Sequence, residues 1–138
     1  PRSTQGVSSA ASDVYKRQIL DRAGIKPYFG IKGKSLLETM KTSSSVRNQL
    51  LIEFNDGGAR LGFKNPARVR SLITQKYRFT AYLDQTWGEL YDLVNDPNET
   101  HNLWDDLNSA QIKAELSLLL NQELINLMDE SPRSLRQA

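Results

Sequence analysis

The stretch GELYDLVNDPNETHNLWDD, residues 88–106, brings many carboxylates close together in the chain. Its acidic side chains are Glu89, Asp92, Asp96, Glu99, Asp105 and Asp106. Carboxylates at closely alternating positions around a glycine can bind calcium. Because the interval 96–106 has neither that spacing nor a glycine, we do not expect a metal site in it.

The same stretch carries the residues of a capped turn. Asp96 stands at an N-cap position, Pro97 at the first helical position, and Glu99 where its carboxylate can reach back to the cap amide. The sequence therefore predicts a capping box around one short turn, with Asn102 in the left-handed conformation that ends it. His101, the only histidine, is predicted to be a turn residue rather than a metal ligand.

The residue inventory excludes several kinds of catalytic centre. The chain has no cysteine, which excludes disulfides, thiolate metal sites and a cysteine nucleophile. A single histidine leaves little for a zinc site or a Ser-His-Asp triad. We therefore predict no catalytic residue and no metal ligand within these 138 residues.

A glycine-rich loop, residues 55–65, is the predicted place of any substrate contact. Gly57, Gly58 and Gly62 permit a close approach of the backbone to a ligand. Arg60, in the same loop, is a planar donor suited to a sulfate or a sugar carboxylate, and we assign it as the candidate substrate-binding residue. The alternative is a surface loop with a solvated Arg60.

Four cations lie at alternating positions, and one interpretation is a single anion-binding face. They are Arg68, Arg70, Lys76 and Arg78. The alternative, which we favour, is a solvated or ion-paired row. Residues 19–138 carry no formal net charge, because the net charge of +2 comes from residues 1–18. This neutrality argues against a nucleic-acid partner, since phosphate contacts dominate that affinity. No apolar run approaches the roughly 20 residues that cross a bilayer, so no membrane partner is expected.

The apolar pattern predicts an α+β fold, a small antiparallel sheet of about four strands packed against a C-terminal helix. Strands are predicted at 48–54, at 89–93 and twice within 69–83, with a turn near Gln75. Across that turn Val69, Ile73 and Phe79 share one parity and are assigned to the core face. The helix is predicted at 109–128. The predicted core centre is Phe79, Leu90, Leu93, Leu116, Leu120 and Leu124.

The first eighteen residues are interpreted separately from 19–138. The segment SSAASDVYKRQ resembles a translated sequencing-adapter tail of the kind found at the ends of metagenomic reading frames. The alternative is a native Ser/Ala-rich linker that enters a helix. We predict that residues 1–18 pack little against the rest, and that Val14 and Tyr15 are not buried.

Three stretches resemble the C-terminal part of the sulfatase family, in the alkaline-phosphatase-like superfamily. The most specific is ARVRSLITQKYRFTAYLDQTWGELYDLVNDPNETHNLWDDL, with the family's pattern ELYDL, DP, E and NL. ILDRAGIKPYFGIKGKSLLETM and ELINLMDESPRSLRQA are similar to flanking family segments. The resemblance spans 19–138 and implies a sulfatase-like C-terminal subdomain.

The resemblance implies a parent enzyme that hydrolyses sulfate esters with a formylglycine and a calcium ion. In the family the formylglycine arises in a Cys/Ser-x-Pro-x-Arg motif of the larger N-terminal part, and no such motif occurs here. We expect a C-terminal fragment that is inactive alone. Its partners would be the missing N-terminal catalytic portion and, in the parent, a sulfated small molecule or glycan. A related phosphonate or phosphate ester hydrolase and a free-standing binding module remain alternatives.

Overall fold

The computed structural model describes residues 9–27, 33–59 and 62–128, with side chains from residue 16 onward. Its elements in chain order are helix α1 (Ser9–Arg22), helix α2 (Leu37–Thr42), strands β1 (Gln49–Asn55), β2 (Arg68–Thr74), β3 (Tyr77–Tyr82) and β4 (Gly88–Asp92), a 3-10 turn (Leu107–Ser109) and helix α3 (Ala110–Asn126). The chain divides into two compact units, one of Pro1–Val46 with Leu127–Ala138 and the other of Arg47–Asn126.

The first unit holds the two shorter helices. α1 ends where the sequence predicts, because the N–H of Ala23 still bonds to Ile19 at 3.0 Å and Gly24 then turns left-handed with φ 66°. α1 also runs through residue 18, the predicted end of the tail, and that boundary stays a prediction. Val14 and Tyr15 lie outside the residues whose side chains are described. No helix in the described segments is long and apolar enough to span a bilayer.

The second unit is a four-stranded antiparallel sheet in the order β1-β2-β3-β4, and α3 packs on one of its faces. Each strand pairs with its neighbour in sequence, so the sheet is built entirely from hairpin connections. The predicted α+β fold, with about four strands and a C-terminal helix, is confirmed.

A two-residue loop, Gln75–Lys76, joins β2 to β3 and sets their register. The Thr74 hydroxyl accepts from the backbone N–H of Tyr77 at 2.9 Å and closes this loop. The register therefore pairs Leu72 with Phe79, an even position with an odd one. The single parity predicted across the turn is wrong, because a loop of even length places residues of opposite parity on the same face.

The core is one apolar row across the sheet, covered by α3. Leu51, Leu72, Phe79 and Leu90 are cross-strand neighbours in that row. The most buried apolar side chains among the described residues are Leu72, Phe79, Leu90, Leu116 and Leu120. Around them pack Leu51, Tyr77, Ala81, Leu103, Trp104, Ile112, Leu119 and Leu124. The predicted core is thus confirmed for Phe79, Leu90, Leu116 and Leu120. It is wrong for Leu93, which lies past the end of β4, and it missed Leu72.

The opposite face of the sheet carries large apolar side chains from β1. Leu50, Ile52 and Phe54 are 40%, 45% and 47% exposed. Their partners on β2 are Ile73 and Val69 at the two ends, with Ser71 between them. We call these six residues the apolar sheet face. A contiguous exposed apolar surface is uncommon in folded domains and is of the kind used for contacts.

Glu123, which interrupts the apolar stripe of α3, finds a partner on the sheet. Its carboxylate accepts from the side-chain amide of Gln49 on β1 at 2.7 Å. This charge-assisted hydrogen bond gives the half-buried carboxylate a donor and links α3 to the edge strand β1.

Candidate functional site

An open depression of about 570 Å³ lies at one end of the sheet, where two hairpin loops come together. Residues of 62–67, from the β1–β2 connection, and of 83–87, from the β3–β4 connection, form its lining. Both loops lie at the same end because the strands between them run antiparallel. Gly62 has φ 84°, a conformation that favours glycine, and lets the first loop turn at the rim.

Two aromatic rings form a wall of this depression, and a third supports them from behind. Phe63 and Trp87 belong to the lining, with ring centroids 6.1 Å apart. Tyr82 packs against both, at 6.2 Å from Phe63 and 4.6 Å from Trp87. Trp87 nevertheless keeps 45% of its surface exposed. The wall is therefore an aromatic surface that faces solvent and whose rings are fixed by their packing against each other.

The remainder of the depression is polar and electrically balanced. Its hydrophilic side chains are Lys64, Asn65, Asp84 and Gln85. In the part of the chain that the structure describes, none of these four makes a side-chain hydrogen bond or ion pair. Asp84 has φ 58° at the hairpin bend, and the N–H of Gln85 bonds to the Tyr82 carbonyl at 3.3 Å. The rim therefore holds hydrogen-bonding groups that a ligand can use.

Arg78 of β3 lies at the centre of a polar network on the sheet face opposite α3. Its guanidinium contacts the Glu99 carboxylate and lies 3.5 Å from one Glu89 oxygen. The Arg78 Cζ atom is 5.0 Å from the centre of the Tyr91 ring. Tyr82 donates its hydroxyl to the other Glu89 oxygen at 3.0 Å. Burial, and then this hydrogen bond, raise the pKa of Tyr82 to about 12.

The acidic turn is held together by the Asp96 carboxylate, although not as the predicted N-cap, and not by Glu99. The Asp96 carboxylate accepts from the backbone N–H of His101 at 2.8 Å and from the Thr100 hydroxyl at 3.0 Å. Glu99 takes the left-handed conformation, with φ 55°, and its carboxylate goes to Arg78. The predicted capping box is therefore wrong, because the Arg78 guanidinium is a stronger donor to the Glu99 carboxylate than a neutral cap amide is.

Asn102 has a different role from the predicted helix stop. Its side chain accepts from the N–H of Leu90 at 3.0 Å and donates to the Gly88 carbonyl at 2.9 Å. The backbone N–H of Leu103 adds a bond to the Leu90 carbonyl at 2.8 Å. Trp104 then stacks on Phe79, with centroids 5.4 Å apart. The turn thus anchors to the outer edge of β4 and to the core.

The carboxylates of Asp92 and Asp96 accept hydrogen bonds from groups within the turn itself. The pKa of Asp96 is held below its usual range, chiefly by the backbone N–H of His101. The pKa of Asp92 is lowered chiefly by the side-chain amide of Asn95. Among the described residues, no three His, Cys, Asp or Glu side chains come together as metal ligands. The arrangement is that of a structural turn.

The structure does not bring the four predicted cations onto one face. Arg70 shares a face with Leu72, and Arg78 lies on the opposite face, for the same reason of register. Arg70 pairs with Glu53 at 2.9 Å. Arg78 is in the network above. Ion pairing, which the favoured interpretation included, is thus found for these two cations, whereas the single row is wrong.

Arg60, the candidate substrate-binding residue, lies outside the described residues, so its role stays a prediction. The depression adjoins its loop, since 62–65 lines the rim. Sequence reasoning missed the aromatic wall. The available signal was Phe63, Tyr82 and Trp87 placed in or next to two turn-rich segments, but their meeting depends on the sheet register.

Comparison with known proteins identifies the family. The family described as "N-sulphoglucosamine sulphohydrolase, C-terminal" matches residues 8–126. The chain belongs to this family. The resemblance to the C-terminal part of sulfatases is thereby confirmed, and the match begins ten residues before the predicted tail boundary at 18.

One curated sulfatase is similar to part of this sulphohydrolase-family chain, and two solved structures share its fold. YidJ, an uncharacterized sulfatase of Escherichia coli (strain K12), is 37% identical over 62 residues, 45% of this chain and 12% of the relative. BT4656, solved with its substrate D-glucosamine-2-N,6-O-disulfate, has a TM-score of 0.70 at 23% identity over 88% of this chain. A phosphonate monoester hydrolase from Silicibacter pomeroyi has a TM-score of 0.69 at 21% identity over 85%. The chain spans 25% of the length of each of these two structures.

Proposed function

We propose that this chain works as the C-terminal portion of a hydrolase of sulfate esters, with sulfated sugars as the substrate class. The observation that carries the proposal is the family match over residues 8–126, whose description names a sulphohydrolase of a sulfated glucosamine. The fold shared with BT4656, which binds a sulfated glucosamine, supports the same substrate class.

The chemistry of ester hydrolysis is proposed to lie outside these residues. Such a reaction needs an activated nucleophile and a cation cluster that holds the developing charge. The sequence has no cysteine and no serine with proline two positions later, so it offers no formylglycine precursor. The described residues do not group as calcium ligands either. The residues present do not fit these two groups, and the chain by itself is expected to be inactive.

The role proposed for the chain is to complete the fold and form one wall of the substrate cleft. The apolar sheet face is the surface proposed to pack against the catalytic portion of the enzyme, since Leu50, Ile52 and Phe54 are exposed on it. The depression with Phe63 and Trp87 lies at one end of the same sheet and is the part proposed to face substrate.

A second candidate is the C-terminal portion of a phosphonate ester hydrolase. The similarity to the Silicibacter pomeroyi enzyme, with a TM-score of 0.69, favours it as a runner-up. A free-standing binding module is a weaker candidate, because Arg70 and Arg78 already pair with carboxylates.

A pair of chimeras tests the proposal. Residues 47–126 replace their structural counterpart in BT4656 and, separately, in the phosphonate monoester hydrolase. We expect the first chimera to release sulfate from D-glucosamine-2-N,6-O-disulfate and the second to lose phosphonate hydrolysis. The 138-residue chain alone, assayed on 4-nitrophenyl sulfate, is the matched control and should release nothing. Sulfate release by the chain alone would contradict the proposal. So would a phosphonate hydrolase chimera that stays active while the BT4656 chimera is inactive.

A further inference from the structure

We propose that the depression between the two hairpin loops is a binding subsite for an uncharged pyranose ring, a sugar that adjoins the sulfated one in a glycan. The inference rests on the proposed function for the identity of the glycan. The stacking surface itself is argued from the side chains of this chain.

The first argument is the aromatic wall. A pyranose ring has one face of C–H groups, which packs on an aromatic ring while its hydroxyls point outward to polar partners. Trp87 offers such a surface, because 45% of it is exposed although Tyr82 and Phe63 pack against it. The hydrogen bond from Tyr82 to Glu89 holds the supporting ring in place. A ligand therefore meets an indole whose position is already set.

The second argument is the chemistry of the rim. Asn65 and Gln85 each carry an amide that can donate and accept at once, which suits a pair of neighbouring hydroxyls. Lys64 and Asp84 carry opposite charges, so the rim has no net charge with which to attract a sulfate. The side-chain polar atoms of these four residues are unpaired within the described segments. The composition therefore selects a neutral polyhydroxyl ring over an anion.

The third argument is size. About 570 Å³ lies within the range of small-molecule sites, roughly 300–1,000 Å³, and the depression is open on one side. An open site of this size accommodates one ring while the chain of sugars continues out of it. The sulfated ring would then lie outside the depression, toward the proposed catalytic portion.

Fluorescence titration of the 138-residue chain with chitotetraose, a neutral oligomer of N-acetylglucosamine, tests the subsite. The chain has two tryptophans, and Trp87 is the exposed one, so binding should shift its emission and saturate at millimolar concentration. Asn65→Ala and Gln85→Ala are rim substitutions that leave the core intact. Each should weaken binding about tenfold, a change of about 1.4 kcal/mol.

Trp87→Ala should abolish binding. Because this variant lacks the fluorescent tryptophan of the depression, its binding is measured by the NMR chemical shifts of the rim amides. Val94→Ala, an exposed apolar residue away from the depression, is the matched control and should bind as the parent does. A folded chain that shows no saturable shift, or a Trp87→Ala variant that still binds, would overturn the proposal. Binding confined to sulfated oligosaccharides and lost in Lys64→Ala would overturn it too, in favour of an anion site.

The outcome is separable from that of the proposed function. Chitotetraose carries no sulfate ester, so its binding does not depend on sulfate hydrolysis. Failure of the BT4656 chimera with intact binding would leave a sugar subsite on a chain of another activity. A working chimera without binding would remove the subsite and leave the proposed function in place.

Discussion

At the scale of the residue, Gly88 is a position where the fold leaves no room for a side chain. A Cβ atom at Gly88 would lie 2.5 Å from the Thr80 carbonyl oxygen and would also meet the Trp104 ring. Because a backbone atom cannot move aside as a flexible side chain can, Gly88→Ala should lower the free energy of unfolding by about 1–3 kcal/mol or more. Chemical denaturation measures it.

Gly57→Ala is the matched control for that substitution. Nothing lies within 4 Å of a Cβ atom at Gly57, and the residue is not in the left-handed region. Its free energy of unfolding should stay within about 0.5 kcal/mol of the parent value. An equal loss in the two variants would show that Gly88 is not confined by Thr80 and Trp104.

Acid should weaken the turn around Asp96. N–H donors keep the folded-state pKa of this carboxyl below its unfolded value. The unfolded chain therefore binds more protons below about pH 4, and the stabilisation that is present above the unfolded pKa is lost as the pH falls toward the folded one. In thermal melts from pH 7 to pH 2.5, Asp96→Asn should be less stable than the parent at neutral pH and lose less on acidification.

Asn98→Ala, in the same exposed turn, is the control for the acid series, since it removes no titrating group. Its loss of Tm on acidification should match that of the parent chain. A parent and an Asp96→Asn variant with parallel pH profiles would show that this carboxylate does not couple folding to pH.

Residue roles in the turn were predictable where the partner is local in sequence. Asp96 bonds to donors four and five residues away, so capping preferences identified the residue that organises the turn but not its partners, which an N-cap finds two or three residues on. Glu99 and Asn102 bond to Arg78 and Gly88, which are distant in sequence. Propensity rules carry no information about such partners, and both assignments were therefore wrong.

At the scale of the element, Leu72 tests the register of the β2–β3 hairpin. Leu72 is fully buried and pairs with Phe79. Leu72→Ala should cost about 2–5 kcal/mol of the free energy of unfolding, because it leaves a cavity under α3. Leu107→Ala, where the side chain is 89% exposed, should change it by less than about 0.5 kcal/mol. A mild effect at Leu72 would argue for the other register.

The strands and the helix could be predicted from the sequence, but which side of each strand faces the core could not. The strand alternation and the 3.6-residue stripe of α3 are local patterns, so the four strands and the helix were found within a few residues. Which parity faces the core depends on the loop length at Gln75–Lys76, and a shift of one residue inverts a whole strand. The error in this loop length left Leu72 out of the predicted core and placed Arg70 and Arg78 on the same predicted face.

At the scale of the whole molecule, the apolar sheet face should matter only when a catalytic portion is present. Ile52→Thr keeps a β-branched residue in β1 and removes apolar surface that is exposed in this chain. It should change the Tm of the isolated chain little and lower the Tm of the BT4656 chimera. Ile125→Thr, on an exposed position of α3, is the control and should leave the Tm of the chimera higher than Ile52→Thr does.

In a complete enzyme, substitution of Arg60 should affect catalysis, whereas substitution of Glu99 should affect stability. Arg60→Ala is expected to lower kcat/KM, because its loop adjoins the depression and a guanidinium suits a sulfate or carboxylate. Glu99→Ala breaks the contact with Arg78 and should lower mainly the Tm. Kinetics and melts of the two variants in the same enzyme decide the matter. The reverse pattern would place substrate contact in the acidic turn instead.

The bonds that Asn102 and Leu103 make to β4 have a consequence for solubility. A sheet ends on each side in a strand with unpaired N–H and C=O groups, which recruit strands from other molecules. On the β4 side the carboxamide of Asn102 imitates a peptide group, and Leu103 continues the ladder, so Gly88 and Leu90 already have partners. An intruding strand would have to displace them. The turn, which contains no strand, thereby blocks the β4 edge from pairing with strands of other molecules and so opposes fibre growth.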